Sequence, residues 1–388
     1  MPSIISDRIP YSQIRVMFDA AAELEKSGRE IIHLEIGRPD HNTPGHIVEA
    51  AVDALRAGKH HYAPNAGIIE LRQAVGEKYQ REYNLTYHPE SEILVTNGVT
   101  EGIFLAVNAL LNPGDQVLIP DPRWVSYEPA AYANLVEPVS YNLLKEHGFQ
   151  PDPDEIRHLI TPRTRMVVLS SPSNPTGGVT DRERLERIAD LALQHQLIIL
   201  SDEVYEKIIY PPAHHVTPAS FPAMKDSVVI LNGFSKFYSM TGWRLGYALG
   251  PEKLIHPMLR YHQYMITSTN TFAQWGAVKA LTGEQGPSLA MRDEFQKRRD
   301  FIYQSAREWP GFSCQKPPGA FFLFPDVSET GMNGFQMARF LLEKAGVATV
   351  PGECFGRRGA GHIRISYASS MDNLKKAAGQ IKKTVRTL

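Results

Sequence analysis

Short apolar runs alternate with helical stretches from about residue 69 to residue 281, and this alternation limits the folds that the chain can adopt. Examples of such runs are residues 93–95, 166–169 and 197–200. A strand of a parallel sheet is apolar along its whole length because helices cover both faces of the sheet. The pattern therefore predicts an α/β fold with a mostly parallel sheet.

The pattern changes after Gly286, where a charged amphipathic helix (residues 291–308), two short strands and a final helix are predicted. A chain of 388 residues is long enough for two domains. We expect an N-terminal arm, a large domain and a smaller α+β domain. Their boundaries are predicted at 1–12 for the arm, 45–286 for the large domain, and 13–44 with 287–388 for the small domain. Within the small domain, residues 31–36 are predicted to form a strand.

Polar residues follow several of the apolar runs. Asp202 comes after the run at 197–200, Asn174 comes after the run at 166–169, and Asn97 and Gly98 come after the run at 93–95. Ligands of open α/β sheets bind outside the carboxyl ends of the strands, so these residues are candidates for one site. Each has a simpler explanation if taken alone, because Asp202 could cap a helix and Asn174 could form an ordinary turn.

Lys236 lies shortly after another strand-like run, residues 227–231. Burial at the end of a strand disfavours an ammonium group and lowers its pKa, and a neutral amine can form a Schiff base with a carbonyl. Arg244, further along the same segment, could bind a phosphate. Most lysines are solvated surface cations, so Lys236 becomes informative only together with its partners.

Three motifs occur in a fixed order and carry a family resemblance. They are residues 171–177 (Ser-Pro-Ser-Asn-Pro-Thr-Gly), residues 201–205 (Ser-Asp-Glu-Val-Tyr) and residues 235–246 (Ser-Lys-x5-Gly-x-Arg-Leu-Gly). The chain resembles the class I/II aminotransferases, which are pyridoxal-phosphate enzymes of fold type I, and within them the aspartate aminotransferase branch. The match runs from residues 36–40 to residues 364–368. It implies a large domain with a mostly parallel seven-stranded sheet flanked by helices, and a smaller α+β domain.

The resemblance also implies roles for individual residues. Lys236 would form a Schiff base with pyridoxal 5′-phosphate, and Asp202 would pair with its pyridinium nitrogen. Asn174 and Tyr205 would bind the phenolic oxygen of the ring, and Trp124 would stack on the ring. Lys236, Asp202 and Tyr205 are thus the expected catalytic residues. The expected contacts of the phosphate end are Gly98, Val99, Thr100, Ser235 and Arg244.

Substrate and subunit contacts follow from the same resemblance. Arg364 would bind the substrate α-carboxylate in a bidentate fork, together with the backbone of Gly37, and Asn174 and Trp124 would also border the substrate. Tyr62 would reach the phosphate of a neighbouring subunit, so a homodimer with shared active sites is expected.

Two positions depart from the pattern of the relatives. Gly233 stands where many of them place a serine or threonine that binds the phosphate. Glu101 stands near the expected phosphate site, and because like charges repel, we expect its carboxylate to point away.

The implied activity is transfer of an α-amino group from an amino acid to a 2-oxo acid, with 2-oxoglutarate as the expected acceptor. The donor could be aspartate-like, aromatic or aliphatic. A dicarboxylic substrate needs a second cation, for which Arg15, Arg38 and Arg123 are candidates, although each is more simply a surface arginine paired with an acid. The alternatives are a pyridoxal-phosphate lyase or cyclase performing β- or γ-elimination, and a non-catalytic regulatory protein that binds the cofactor or an amino acid.

Charge and cysteine content bear on location and partners. The formal net charge of −1 argues against binding to nucleic acid or to an anionic membrane. We find no apolar run long enough to span a membrane and no signal peptide. The two cysteines, Cys314 and Cys354, form no spaced metal cluster and are expected as free thiols in the cytoplasm, so no metal is predicted.

Overall fold

A computed structural model describes residues 5–388 of the chain, so the first four residues of the predicted N-terminal arm lie outside it. The helices are α1 (Ile14–Lys26), α2 (Gly45–Arg56), α3 (Ile69–Tyr83), α4 (Gly98–Leu110), α5 (Tyr127–Ala133), α6 (Pro153–Leu159), α7 (Arg182–Gln194), α8 (Glu252–Met265), α9 (Thr271–Thr282), α10 (Gly286–Ala306), α11 (Gly334–Phe340) and α12 (Met371–Val385). The strands are β1 (Ile32–His33), β2 (Ile93–Thr96), β3 (Gln116–Asp121), β4 (Glu137–Asn142), β5 (Thr164–Ser170), β6 (Ile198–Asp202), β7 (Val228–Gly233), β8 (Gly246–Leu249), β9 (Phe322–Leu323), β10 (Val347–Ala348), β11 (Val350–Pro351) and β12 (Ile363–Ser366).

The largest sheet has seven strands in the order β2-β8-β7-β6-β5-β3-β4. Only β8 runs antiparallel to its neighbours, β2 and β7, while the other pairs are parallel. Successive side chains of β5 enter two different apolar cores, with Val167 and Leu169 in one and Met166 and Val168 in the other. The strand is apolar throughout because both of its faces are covered. The predicted mostly parallel α/β sheet is confirmed.

Two small sheets stand apart from the large one. Strand β1 pairs with β10 in parallel, and β12 lies between β11 and β9 in an antiparallel sheet. The prediction of a strand over residues 31–36 is wrong beyond His33. Only Ile32 and His33 have β-ladder partners, in β10. The carbonyls of Glu35 and Gly37 instead accept hydrogen bonds from the side chains of Arg364 and Lys236.

The helices predicted after residue 286 are present with shifted ends. The amphipathic helix begins at Gly286 and ends at Ala306, and the last helix begins at Met371. Ser370 caps the last helix, because its hydroxyl accepts a hydrogen bond from the backbone N–H of Asn373. Within residues 5–388, no helix is both long enough and apolar enough to serve as a membrane span.

Candidate active site

The carboxyl ends of β5, β6 and β7 meet at one edge of the large sheet. Ser170, the last residue of β5, is in register with Asp202, the last residue of β6. A cavity of about 360 Å³ opens at this edge. The predicted site residues that line it are Gly37, Val99, Thr100, Trp124, Asn174, Asp202, Tyr205, Ser235, Lys236, Arg244 and Arg364. Phe18, an aromatic residue equally compatible with pocket lining and with packing, also lines the cavity, and the lining residues that were not predicted for the site are Ile14, Glu35, Ser170, Val204 and Thr241.

Lys236 carries its amino group from the end of β7 into this cavity. Its Nζ donates a hydrogen bond to the carbonyl oxygen of Gly37, at 2.8 Å. Burial, and then the positive charges of Arg364 and Arg244, lower the pKa of Lys236 to about 8. The lowered pKa expected from the sequence is confirmed, and the neutral amine is accessible near physiological pH.

Asp202 is held at the floor of the cavity by two donors. The Oη of Tyr127 donates to Asp202 Oδ2 at 2.7 Å, and the backbone N–H of Val204 donates to Oδ1 at 3.3 Å. Burial raises the pKa of Asp202 to about 6, and these hydrogen bonds oppose the rise. No helix begins at Asp202, so the capping alternative is wrong.

The hydrogen bond from Tyr127 to Asp202 is a contact that the sequence did not predict. As an aromatic residue near Trp124 it is equally compatible with pocket lining and with packing, and only the folded structure brings its hydroxyl to Asp202.

Arg364 presents a buried guanidinium group to the cavity from β12. Its Nη1 donates to Asn174 Oδ1 at 3.0 Å and its Nη2 donates to the carbonyl oxygen of Glu35 at 2.6 Å. Its Nε is buried and has no hydrogen-bond partner among residues 5–388. Burial lowers the pKa of Arg364 to about 10, which still leaves the group charged at neutral pH. A buried cation with an unused donor favours an anionic ligand such as a carboxylate.

The N-terminus of α4 and Arg244 form the anion-binding end of the cavity. Gly98 has a φ of +77°, and a Cβ built there would lie 2.6 Å from Arg244 Nη2. The guanidinium of Arg244 therefore lies against the first turn of α4, where free N–H groups favour a phosphate. Val99 and Thr100, which follow Gly98 in that turn, line the cavity.

The two departures from the family pattern have structural explanations. The Glu101 carboxylate accepts a hydrogen bond from the backbone N–H of Asn97 at 2.5 Å and contacts His262 Nδ1 at 3.0 Å, so it points away from the cavity as expected. A Cβ at Gly233 would lie 3.0 Å from Gly246 Cα and 3.0 Å from the carbonyl oxygen of Leu245. The backbones of β7 and β8 leave no room for a side chain at Gly233.

Some of the predicted residues do not reach the cavity within this chain. The side chain of Tyr62 is 88% exposed, and its expected role concerns a neighbouring subunit. Arg15 and Arg38 are exposed, and Arg123 is buried in an ion pair with Glu128. None of these three arginines lines the cavity, since Arg15 and Arg38 lie at the surface and Arg123 is paired with an acid.

Two carboxylates and an imidazole form a polar cluster, of which Glu203 is next to Asp202 in the chain. Ligand atoms of Glu203, Glu206 and His215 lie within 4.8 Å of one another. The ammonium group of Lys78 already contacts Glu206 Oε1 at 2.5 Å, so a cation neutralises part of this cluster. The expectation that the protein binds no metal stays a prediction.

The residues around the cavity fit pyridoxal phosphate. They offer an amine of lowered pKa for an aldehyde, a buried carboxylate for a ring nitrogen, an aromatic side chain in Trp124 and an anion-binding end at α4 and Arg244. The guanidinium group of Arg364 lines the same cavity, and the hydrogen-bond partners of its Nη1 and Nη2 are both neutral, so it could also bind a substrate carboxylate.

Comparisons with known proteins agree with this chemistry. The family model described as aminotransferase class I and II matches residues 29–381. An aspartate aminotransferase from Pyrococcus horikoshii is 41% identical, with 97% of this chain and 95% of the relative covered. Aromatic-amino-acid aminotransferase 2 of Thermococcus litoralis is 39% identical, with 98% of each chain covered.

A solved structure titled as the aspartate aminotransferase from Thermus thermophilus with maleate superposes on this chain with a TM-score of 0.93. The two are 39% identical, and the match covers 99% of each chain. The family match over nearly the whole sequence, the relatives at about 40% identity and the shared fold show that this chain belongs to the class I and II aminotransferases, transferases that depend on pyridoxal phosphate.

Proposed function

We propose that Lys236, Asp202 and Arg364 carry out transamination between an α-amino acid and a 2-oxo acid in this cavity. The observation that carries the proposal is the amino group of Lys236, which has a lowered pKa and lies in the same cavity as the buried guanidinium group of Arg364. Bound pyridoxal phosphate supplies an aldehyde for the amino group and a ring that accepts electrons.

Residues of the chain would bind the substrate, transfer the proton and pair with the ring nitrogen. Arg364 and the backbone of Gly37 bind the substrate α-carboxylate. The Nζ of Lys236, once neutral, takes up the proton of the substrate α-carbon and later returns it to the cofactor side. Asp202 stays ionised and accepts a hydrogen bond from the ring nitrogen.

The other proposed contacts orient the cofactor. Asn174 and Tyr205 bind its phenolic oxygen and Trp124 stacks on its ring. The phosphate ligands are Gly98, Val99, Thr100, Ser235 and Arg244.

The walls of the cavity favour an aromatic or aliphatic side chain on one of the two substrates. Ile14, Phe18 and Val204 line the cavity, whereas Arg15 and the other two candidate arginines do not. An apolar wall stabilises an apolar side chain and leaves a second carboxylate without a partner from this chain. A second candidate donor is aspartate, because several relatives carry that name.

A half-reaction screen tests the activity and the donor class together. The enzyme loaded with pyridoxal phosphate is mixed with each of the common amino acids, and conversion of the cofactor to its pyridoxamine form is followed by absorbance. We expect conversion with aromatic or aliphatic donors and release of the matching 2-oxo acid. Lys236→Ala should lower the rate by at least about 10³-fold. Release of ammonia without the pyridoxamine form would indicate an elimination reaction and contradict the proposal.

We further propose a homodimer in which Tyr62 of each subunit completes the partner's site. Asn65 Nδ2 donates to the carbonyl oxygen of Thr267 at 2.7 Å, which brings the Tyr62 segment next to the end of α8. There, Tyr264 is 87% exposed and Met265 is 54% exposed. Exposed large apolar side chains that lie close together are typical of a protein interface.

The predicted domain division and location also remain proposals. The large seven-stranded sheet uses only residues within 45–286, and the two small sheets use only residues within 13–44 and 287–388, which supports the proposed boundaries. The free thiols Cys314 and Cys354 support the cytoplasm as the compartment.

A further inference from the structure

Tyr127 is buried beside the carboxylate that the proposed function assigns to the cofactor ring. We propose that Tyr127 is a positioning residue of this enzyme: its hydroxyl keeps Asp202 ionised and directs Oδ1 towards the cofactor. The inference rests on the role proposed above for Asp202. Tyr127 Oη donates to Asp202 Oδ2 at 2.7 Å, and the two residues are 1% and 5% exposed.

The position of the tyrosine is set by packing. Tyr127 is the first residue of α5, and its ring belongs to the apolar core that also contains Ala130 and Val168. Its hydroxyl also interacts with the side chain of Ser170, at the end of β5. The hydroxyl thus lies between the ends of two parallel strands, β5 and β6.

The two carboxylate oxygens of Asp202 have unequal partners. Oδ2 accepts the short bond from Tyr127, whereas Oδ1 has only the 3.3 Å contact with the backbone N–H of Val204. A carboxylate oxygen can accept more than one hydrogen bond, so Oδ1 retains capacity for a protonated ring nitrogen. A tyrosine that occupies Oδ2 fixes the rotation of the carboxylate and selects Oδ1 for the ligand.

The hydrogen bond from Tyr127 helps to keep Asp202 ionised, because burial and a neighbouring negative charge favour the protonated form of its carboxyl group. Burial raises its pKa to about 6, and the negative charge of Glu203 adds to the rise. The hydrogen bonds from Tyr127 and Val204 and the positive charge of Lys236 lower it. Removing the tyrosine hydroxyl takes away the first of these opposing contributions, so the carboxyl group becomes protonated at a higher pH.

The affinity of the apoenzyme for pyridoxal phosphate as a function of pH tests the inference. Below the pKa of Asp202 the cofactor must displace a proton, so wild-type affinity should fall about tenfold per pH unit below about pH 6. In Tyr127→Phe we expect the fall to begin about one pH unit higher, with about fivefold weaker binding than the wild type at pH 6 and about tenfold weaker binding at lower pH.

Tyr141→Phe is the matched control. Tyr141 is also 1% exposed, and its hydroxyl donates to the carbonyl oxygen of Val168 at 2.7 Å, away from Asp202. This variant loses a buried tyrosine hydroxyl without touching the carboxylate, so its pH midpoint should equal that of the wild type. Melting temperatures of the apo forms confirm that both variants are folded.

A double-mutant cycle separates the inference from the proposed function. Tyr127→Phe should lower kcat by about tenfold or more with little change in KM, and it should have no further effect on cofactor affinity or kcat in an Asp202→Asn background. The inference would be overturned if Tyr127→Phe left the pH midpoint of cofactor affinity unchanged. It would also be overturned if Tyr127→Phe weakened cofactor binding equally in the wild-type and Asp202→Asn backgrounds. In either case the proposed role of Asp202 would remain. If Asp202→Asn alone leaves cofactor affinity and kcat unchanged, the proposed role of Asp202 fails as well.

Discussion

At the scale of single residues, burial shifts the pKa values of the charged groups towards neutral pH. Burial lowers the pKa of Lys236 to about 8 and raises the pKa of Asp202 to about 6. Burial is the largest cause of both pKa shifts, because the protein around the cavity solvates a charge less well than water does. Groups with displaced pKa values that lie together in a cleft are typical of catalytic sites.

The pKa of Lys236 predicts how fast the apoenzyme captures its cofactor. Only the neutral amine attacks an aldehyde, and the ammonium form predominates below about pH 8. We expect the rate constant for capture of pyridoxal phosphate to rise about tenfold per pH unit up to about pH 8 and then to level off. Stopped-flow absorbance after mixing apoenzyme with the cofactor measures this rate.

Pyridoxamine 5′-phosphate provides the control for that experiment, because it has the same ring and phosphate but no aldehyde. The rate constant for its binding should therefore not increase about tenfold per pH unit up to about pH 8. A capture rate for pyridoxal phosphate that is flat between pH 6 and about pH 10 would show that the amine is not the group that titrates.

At the scale of elements, close backbone packing places the start of α4 at the cavity. A Cβ at Gly246 of β8 would lie 2.9 Å from the backbone nitrogen of Val99. The left-handed conformation of Gly98 then turns the chain from β2 into the helix. The free N–H groups of the first turn consequently face the same space as the guanidinium of Arg244.

Gly98→Ala should disturb this anion-binding end. The new methyl group would approach Arg244 Nη2 to 2.6 Å, and the φ of +77° is unfavourable for alanine. We expect the affinity for pyridoxal phosphate to fall by about tenfold or more, from a cost of about 1–2 kcal/mol. Equilibrium dialysis of the apoenzyme with the cofactor gives the dissociation constant.

Gly379→Ala is the matched substitution for that test. Gly379 lies within α12 and a Cβ there meets no atom within 4 Å, so alanine should stabilise the helix by about 0.5–1 kcal/mol without affecting the cofactor. If Gly98→Ala and Gly379→Ala bound pyridoxal phosphate with equal affinity, the proposed role of the α4 N-terminus in binding the phosphate would be contradicted.

At the scale of the whole molecule, the cavity joins parts of the chain that are far apart in sequence. Lys236, which follows β7 of the large sheet, donates to the carbonyl of Gly37, and Arg364 from a small sheet donates to Asn174, which follows β5 of the large one. These contacts tie the two proposed domains together at the reaction site. Any movement between the domains would change the spacing of these side chains.

The proposed dimer predicts complementation between two inactive variants. A hybrid of one Tyr62→Phe subunit and one Lys236→Ala subunit contains one site with both Lys236 and the partner's Tyr62. We expect such a hybrid to recover about half of the wild-type activity per dimer, whereas each homodimer stays impaired. Differently tagged subunits, purified as the hybrid and assayed for transamination, provide the measurement.

Light scattering of the same samples shows whether they are dimers. A purified hybrid that is dimeric and yet no more active than the mixture of its parents would show that Tyr62 acts within its own chain or has no role. A monomeric wild-type enzyme with full activity would exclude shared sites altogether.

The sequence alone determined the parallel sheet and the candidate site residues at the ends of its strands. Apolar runs and helical periodicity are local properties, so they predicted the parallel sheet and the positions of Asp202 and Asn174 at the strand ends. The motif around Lys236 was likewise readable, because its residues are close together in the chain.

Only the tertiary structure decided which distant side chains meet. The bond from Tyr127 to Asp202, the close approach of β8 to the backbone of Gly233 and the shortening of the strand after His33 all depend on contacts between separate segments. No local pattern encodes such contacts, because they arise when packing brings the sheet edges and loops together. The pKa values of Lys236 and Asp202 follow from the same packing, since burial and neighbouring charges set their size.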